Sequence, residues 1–512
     1  MAVGRFYITT PIYYVNDAPH MGTSYTTVNA DALARWHRLI GDETKFLTGT
    51  DEHGMKIAET AEKHGVSPQA WTDATSARFE EAWATLNISQ DDFIRTTQAR
   101  HYETVGTFLT KIYENGYIRK DTYRGLYCVG CEDYYTQDQL VDGKCPSHNR
   151  ELVEMEEDNY FFELSKFEDR LLEWFEANPA AIQPASKRNE ALSFIKGGLK
   201  DVSITRTSIS WGIPVPWDEG HVFYVWYDAL INYLTAIGYG RDEAEVEKWW
   251  PHVHHLIGKE IIRFHCVWWP AMCMAAGIDP PAHVFVHGWL LVGGKKLSKS
   301  MAADESAPVK LTDITPASLV EQFGVDPVRY YLLRNTPLGT DGDFSIEGIT
   351  ERYNADLANN LGNLVARLAT VIGSKSGGRS PEPSETSELK DRAAEAVAQA
   401  RDAWERFAPQ EGLEATWRLI GAVNSALEVA EPWKAEPSPE VDAVLGSALE
   451  ALRIITVLIW PAMPDTAQAI WGRIGLDGSP TDGGLDAQVL WGSAPQARVV
   501  TKGDPLFPRR KD

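Results

Sequence analysis

The sequence is poor in cysteine, in long apolar runs and in positive charge. Five cysteines are spread over 512 residues, and three of them, Cys128, Cys131 and Cys145, fall close together. Such usage excludes a disulfide framework and implies a reducing compartment, with the cluster suited to a metal. No stretch approaches the ~18 apolar residues that cross a bilayer. The nearest, IITVLIWPAM from Ile454, is short and follows Arg453. The amino terminus, MAVGRFYITT, lacks the charged, apolar and cleavage segments of a secretion signal. The expected location is therefore the cytoplasm, with no membrane partner. Lysine and arginine number 49 against 72 aspartates and glutamates, a formal charge of −23. Taken alone, that balance argues against an acidic partner such as nucleic acid.

What is present is an ordinary globular composition, 44% apolar, in a chain long enough for about two to four domains. Residues 5–10 form an apolar strand pattern, and from Thr26 the residues Val28, Ala32, Trp36 and Ile40 recur at helical spacing. TKFLTGTDEHG repeats the unit: a strand ending near Asp51, then a helix from about Met55. Two βα units predict an open parallel sheet whose ligands sit at the carboxyl ends of its strands. From Tyr117 short β-like pieces surround the cysteine cluster, as in an insertion. Apolar strands resume at HVFYVWYDAL and AHVFVHGWLLV, and beyond Ile349 nearly everything has helical spacing. The expected architecture is α/β. A split Rossmann-like parallel-sheet domain (1–115 and 221–292) is interrupted by a connective insertion with a zinc knuckle (116–220). A connecting region (293–349) and an all-α bundle (350–512) follow.

The junction APHMGTSY, residues 18–25, sets a histidine and a glycine where a strand hands over to a helix. A helix N-terminus offers unpaired N–H groups and a positive dipole end, so a phosphate can bind there if the backbone is approachable. Gly22 allows that approach, His20 can donate to a phosphate oxygen, and Thr23 can cap the helix or bond the ligand. By itself the motif is weak. A second piece, GGKKLSKSM, has Gly293 and Gly294 giving a mobile loop, followed by Lys296, Ser298, Lys299 and Ser300. Its ammonium groups suit the charge that builds on a departing pyrophosphate. The conjunction of the two, one after the first strand and one after the last, carries the argument.

A separate constellation is Cys128-x-x-Cys131 followed by Cys145-x-x-His148. Two ligand pairs at this spacing wrap a tetrahedral Zn2+. Four protein ligands leave no open position, so the metal is structural rather than catalytic. A redox Cys-x-x-Cys would not need the second pair. Cys266 and Cys273 are read as packing residues.

HMGT (20–23) and KLSKS (296–300) resemble the HIGH and KMSKS motifs of class I aminoacyl-tRNA synthetases. The wider context, TPIYYVNDAPHMG, FLTGTDEHG, YVWYDALINYL, LIGKEIIRFHCVWWPAM, HGWLLVGGKKLSKS, NADLANNLGN and EPWK in that order, resembles the methionyl-tRNA synthetase family over most of the chain. Two positions depart from the pattern: Thr23 stands where a second histidine is common, and Leu297 where methionine is. The resemblance implies activation of methionine by ATP with Mg2+, then transfer to the terminal adenosine of tRNA. It implies catalytic roles for His20, Lys296 and Lys299, with Gly22, Thr23, Lys259, Glu260, Ser298 and Ser300 also at the ATP, and Arg206 in a lesser role.

By the same match, Ile12, Tyr14, Asp51, Trp226 and Ala229 line the methionine site on one side, and Leu230, Tyr233, Ile261, His265 and Trp269 on the other. Asp51 would pair with the substrate ammonium. The aromatic rings suit a thioether, to whose sulfur Tyr233 and His265 can donate. Asn363, Arg367 and Trp433 would read a CAU anticodon, on initiator and elongator tRNA, by base-edge bonds and stacking. Only that contact face need be basic, which reconciles the charge with such a partner. The resemblance further implies one zinc, since a second cysteine set is absent, and a monomer, since no oligonucleotide-binding module follows PLFPRRKD. Two alternatives stay open at this point: a class I synthetase for another apolar or sulfur-bearing amino acid, and a non-catalytic tRNA- or zinc-binding paralogue.

Overall fold

Strand Arg5–Thr9 runs parallel to Glu43–Asp51 on one side and to Val253–Gly258 on the other. The sheet so begun takes in seven parallel strands in the computed structural model, which describes residues 4–128, 133–135, 140–146, 149–296 and 314–510. Across it the order is Tyr13–Tyr14, Glu43–Asp51, Arg5–Thr9, Val253–Gly258, His283–His287 and Ile182–Gln183, with Asp92–Arg95 also paired to Glu43–Asp51. A sheet covered on both faces needs continuous apolar strands. Phe6, Tyr7, Ile8, Phe46 and Leu47 are accordingly all buried.

Two expectations about this sheet change. Ile182–Gln183 lies inside the expected insertion yet pairs with Val284 and Phe285, adding an edge strand to the main sheet. HVFYVWYDAL is not one of its strands. Asp218–Phe223 joins a small antiparallel sheet with Thr205–Arg206 and Pro214–Val215, and Val225–Ala229 is helical. A short buried apolar run looks the same whether it is strand or helix, and only its partners decide.

The first crossover helix, Met21–Ile40, starts five residues before the periodic pattern does, because His20 caps it. It ends at Gly41, whose φ of 94° is left-handed and suits glycine. Trp36 on this helix stacks on Trp404 of the carboxyl-terminal helices, with centroids 5.8 Å apart. The insertion is a separate four-stranded antiparallel sheet around the paired strands Ile118–Cys128 and Val153–Phe162. From Asn363 to Gln488 the named elements are all helices, packed about Pro439–Ile459, in which every residue from Leu445 to Ile459 is buried. Each large apolar side chain so placed contributes about 1.5–3 kcal/mol. Ile454 to Ile459 thus belong to a bundle core, and among the described residues no helix is long and apolar enough to cross a membrane.

Candidate active site

A cavity of about 360 Å3 opens at the carboxyl ends of the central strands. It draws its walls from the loop after Arg5–Thr9, the amino end of Met21–Ile40, the end of Glu43–Asp51, the helix Val225–Ala229 and the turn after Val253–Gly258. Open parallel sheets bind ligands at this edge.

His20 is both cap and wall. Its Nδ1 accepts the N–H groups of Gly22 and Thr23 at 3.0 and 3.4 Å, so the neutral ring carries its proton on Nε2 as a donor. Thr23 completes the capping box: its Oγ1 accepts the His20 N–H at 3.1 Å and donates to the His20 carbonyl at 2.7 Å. Of the two roles open to Thr23, capping is the one seen. Gly22 serves its neighbour as well as a ligand, since a Cβ there would lie 2.9 Å from the His20 ring. No acidic residue occupies the first turn, so the helix itself places no negative charge against an anion at its end.

Nine of the ten expected methionine contacts line this one cavity: Ile12, Tyr14 and Asp51, then Trp226, Ala229, Leu230 and Tyr233, then Ile261 and His265. Trp269 does not. It is fully buried behind Tyr233, where its indole N–H donates to His255 at 3.2 Å. Trp226 stacks on Phe264, centroids 3.7 Å apart. His265 sits on a π-helical turn, Phe264–Trp268, a distortion that re-aims side chains at functional sites.

The hydrogen bonds of the far wall define its protonation pattern. His265 Nδ1 faces the Ile261 carbonyl at 3.2 Å and must donate there, which leaves Nε2 to accept the Tyr233 hydroxyl at 2.7 Å. Burial lowers the His265 pKa to about 4, so the ring is neutral at pH 7. Both groups therefore spend their protons inside the wall and present no donor to a sulfur. The wall offers polarisable, shaped surface instead.

Around the nucleotide side, Glu260 lines the cavity and accepts the Trp289 indole N–H at 2.8 Å. Lys259 is not in the lining. Its ammonium bonds Asp341 at 2.7 and 2.8 Å and lies 3.9 Å over the Trp289 ring. Arg206 is buried in the small antiparallel sheet, donating to Ser203 and Thr205. Gly293 and Gly294, with φ of 58° and 73°, form a tight hairpin turn between Leu290–Val292 and Lys295–Lys296. Lys296 pairs by its backbone with Leu291. Leu297, Ser298, Lys299 and Ser300 lie outside the described residues.

The sequence reading missed His287, Gly288 and Trp289, which also line the cavity. His287 accepts from the Thr26 hydroxyl at 2.8 Å, tying the sheet to the capped helix. A Cβ at Gly288 would strike the Thr340 backbone at 2.1 Å. The signal was available as HGW, three residues before GGKKLSKSM.

Away from the cavity, Cys128 and Cys145 are both buried in the insertion, while Cys131 and His148 lie outside the described residues. Among the described residues no group of three potential ligands could hold a metal. Cys266 and Cys273 are buried, and burial pushes both thiols up, which suits packing rather than reactivity. In the bundle, Asn363 is exposed, and Arg367 one turn on lies 5.6 Å from the half-exposed Trp433 ring. Asn424, which the sequence reading also missed, accepts from Arg367 at 2.5 Å and donates to Asn360 at 2.9 Å.

Comparison with known proteins adds independent evidence. The family described as tRNA synthetases class I (M) matches residues 6–154 and 148–369. The methionine–tRNA ligase of Streptomyces coelicolor is 44% identical, over 99% of this chain and 97% of its own. That of Thermotoga maritima is 43% identical, over 98% and 80%. This chain belongs to the methionyl-tRNA synthetase family. Among solved methionyl-tRNA synthetases, the Mycobacterium tuberculosis enzyme in complex with methionyl-adenylate superposes with a TM-score of 0.92 at 39% identity, covering 99% of this chain and 100% of that one. Its free-state structure gives 0.86 at 36% identity, covering 100% and 99%. As a methionyl-tRNA synthetase, the chain needs a phosphate site and an amino-acid site within one bond of each other, and the cavity brings His20 and Asp51 to a common space.

Proposed function

We propose that this cavity is where the methionine–tRNA ligase joins methionine to ATP and then passes the methionyl group to tRNA. The observation that carries the reading is the convergence of Asp51, the aromatic wall of Trp226, Tyr233 and His265, and the capped amino end of Met21–Ile40 on one cavity. The methionine carboxylate attacks the α-phosphorus, the bond to pyrophosphate breaks, and methionyl-adenylate forms. The terminal hydroxyl of tRNA then displaces AMP. Neither step requires a protein nucleophile, so positioning and electrostatics supply the rate. Asp51 holds the ammonium, His20 donates Nε2–H to a phosphate oxygen, and Lys296 and Lys299 neutralise the leaving pyrophosphate. Mg2+ accompanies the ATP phosphates. With Tyr233 and His265 bonded to each other, methionine is selected chiefly by shape and polarisability, and discrimination against leucine rests on ~1–3 kcal/mol.

The deciding experiment is amino-acid-dependent exchange of labelled pyrophosphate into ATP. Exchange with methionine and not with leucine, isoleucine or cysteine is the expected result. Exchange led by leucine would overturn the pocket, and none from folded protein would favour a binding paralogue.

The finer parts of the reading rest on residue types. Cys128, Cys131, Cys145 and His148 would hold one structural Zn2+, and the buried thiols of Cys128 and Cys145 support it. Metal analysis is expected to find about one zinc per chain, and Cys145→Ser to lose the metal together with insertion stability. Full zinc in that variant would refute the knuckle. Asn363, Arg367 and Trp433 would read the CAU anticodon of initiator and elongator tRNA, supported by the packing of Arg367 beside Trp433. Trp433→Ala is expected to spare exchange while weakening tRNA charging, by about 1–3 kcal/mol for one lost stacking platform. Equal loss of both activities would point to misfolding. The enzyme would act as a cytoplasmic monomer.

A further inference from the structure

Behind the cavity lies a buried carboxylate that the reaction does not use. Asp228 is fully buried on the helix Val225–Ala229, two residues after Trp226 and next to Ala229. Both its oxygens are held by imidazoles: His53 Nδ1 at 2.5 Å and His101 Nε2 at 2.7 Å. Each ring passes its other nitrogen to a hydroxyl, Tyr102 at 3.0 Å for His53 and Thr235 at 2.9 Å for His101. The three residues come from three distant parts of the chain, and none lines the cavity.

The placement of His53 gives the arrangement its meaning. His53 stands two residues after Asp51, in the turn that ends strand Glu43–Asp51. Glu52, between them, is locked by Arg95 at 2.7 and 3.0 Å and by the Thr97 hydroxyl at 2.6 Å. The turn can therefore neither rotate nor slide without breaking charged bonds. Asp228 fastens this turn to the helix that carries Trp226, and His101, on the helix Ala99–Glu114, fixes the carboxylate from behind. A charge-assisted bond in a dry interior is short, strong and directional.

We infer that Asp228 is a positioning residue for methionine binding: through His53 it sets the separation between the ammonium-holding Asp51 and the Trp226 wall. The inference rests on the family reading of the cavity and adds a residue that touches no substrate. It makes a specific kinetic demand. Loosening the link moves the two ends of the methionine site relative to each other and leaves the phosphate end at His20 in place. Methionine affinity then falls while ATP affinity and turnover hold.

The test is exchange kinetics on the full chain, with active enzyme counted by titration. Asp228→Asn keeps the size but replaces one acceptor oxygen by an N–H2 group, so one imidazole must change tautomer. It is expected to raise the methionine KM by about tenfold, about 1.4 kcal/mol, with kcat and the ATP KM changed by less than about threefold. His53→Ala is expected to do the same. His53→Asn, whose amide N–H2 sits near the Nδ1 position and can still donate to Asp228, is expected to recover most of the methionine affinity. A methionine KM within about twofold of wild type in Asp228→Asn and His53→Ala would overturn the proposal. So would a fall in active fraction or kcat with the KM values unchanged, or His53→Asn behaving like His53→Ala, because a purely structural network predicts those. Absence of exchange in the wild type would instead overturn the family reading, so the two failures are distinguishable.

Discussion

His20→Asn is expected to lower methionine-dependent pyrophosphate exchange by about 10²–10³-fold, about 2.7–4 kcal/mol, without unfolding the helix it begins. The two functions of His20 lie on different ring atoms. Nδ1 caps the helix through Gly22 and Thr23, which leaves Nε2 as the donor proposed for the phosphate. Asparagine places its carbonyl oxygen close to where Nδ1 was and is among the best capping residues, but it has nothing at the Nε2 position. His20→Ala removes both functions and is expected to show the same loss of rate plus about 1 kcal/mol of lost stability. Thermal melts beside exchange rates separate the outcomes. If His20→Asn retained near wild-type exchange while His20→Ala lost it, the histidine would be a cap only.

Arg329→Met is expected to cost about 3–5 kcal/mol of stability, seen as a lower urea midpoint. Arg329 has no solvent exposure and sits where the catalytic sheet meets the helical bundle. Its guanidinium donates to Asp31 of the first crossover helix at 2.6 Å, to the Leu86 carbonyl at 3.1 Å, and to Pro461 and Ala462 of the bundle at 3.0 Å each. Methionine matches the volume but leaves those carbonyls and the Asp31 charge short of a donor. Lysine would not rescue it, since one ammonium cannot reproduce the fork. Burial works against ionisation of Asp31, but Arg329 and Arg35 overcome it and hold the pKa at about 2. A depressed folded-state pKa means this stability is present above the unfolded value near ~4 and is lost as pH falls toward 2. The difference between wild type and variant should therefore narrow over that acid range. A loss under about 1 kcal/mol at neutral pH would show that the buried fork is not what joins the two parts.

The errors of the sequence reading share one cause. Apolar periodicity starts only at Thr26, because Met21 to Tyr25 follow no apolar repeat, and the sequence reading offers Thr23 as the cap where the structure has His20 capping and Thr23 completing the box. Val225–Ala229 reads as strand in the sequence because it continues an aromatic and β-branched run, and nearly all of it is buried, as a buried strand would be. Gly293 and Gly294 read as loop residues, and their two left-handed conformations make a hairpin turn between short strands. Trp269 and Lys259 are expected at the ligand by their position in a motif and lie outside the cavity lining, since adjacency in sequence does not fix which way a side chain points. Trp269 turns inward to His255, and Lys259 turns outward to Asp341.

By itself the sequence determined the kind of protein: an α/β sheet with a phosphate-accepting helix end, a cysteine-histidine knuckle pattern, a helical carboxyl-terminal part, and the family to which these belong. Those features are local, since strand runs, helix periods, glycine turns and ligand spacings are written within a few residues of one another. Tertiary structure alone decided that Tyr233 and His265 spend their protons on each other, and that Asp228 draws His53 and His101 together. Those outcomes depend on partners tens to hundreds of residues away. A proton's direction or a carboxylate's company is fixed only when burial removes water as the alternative partner.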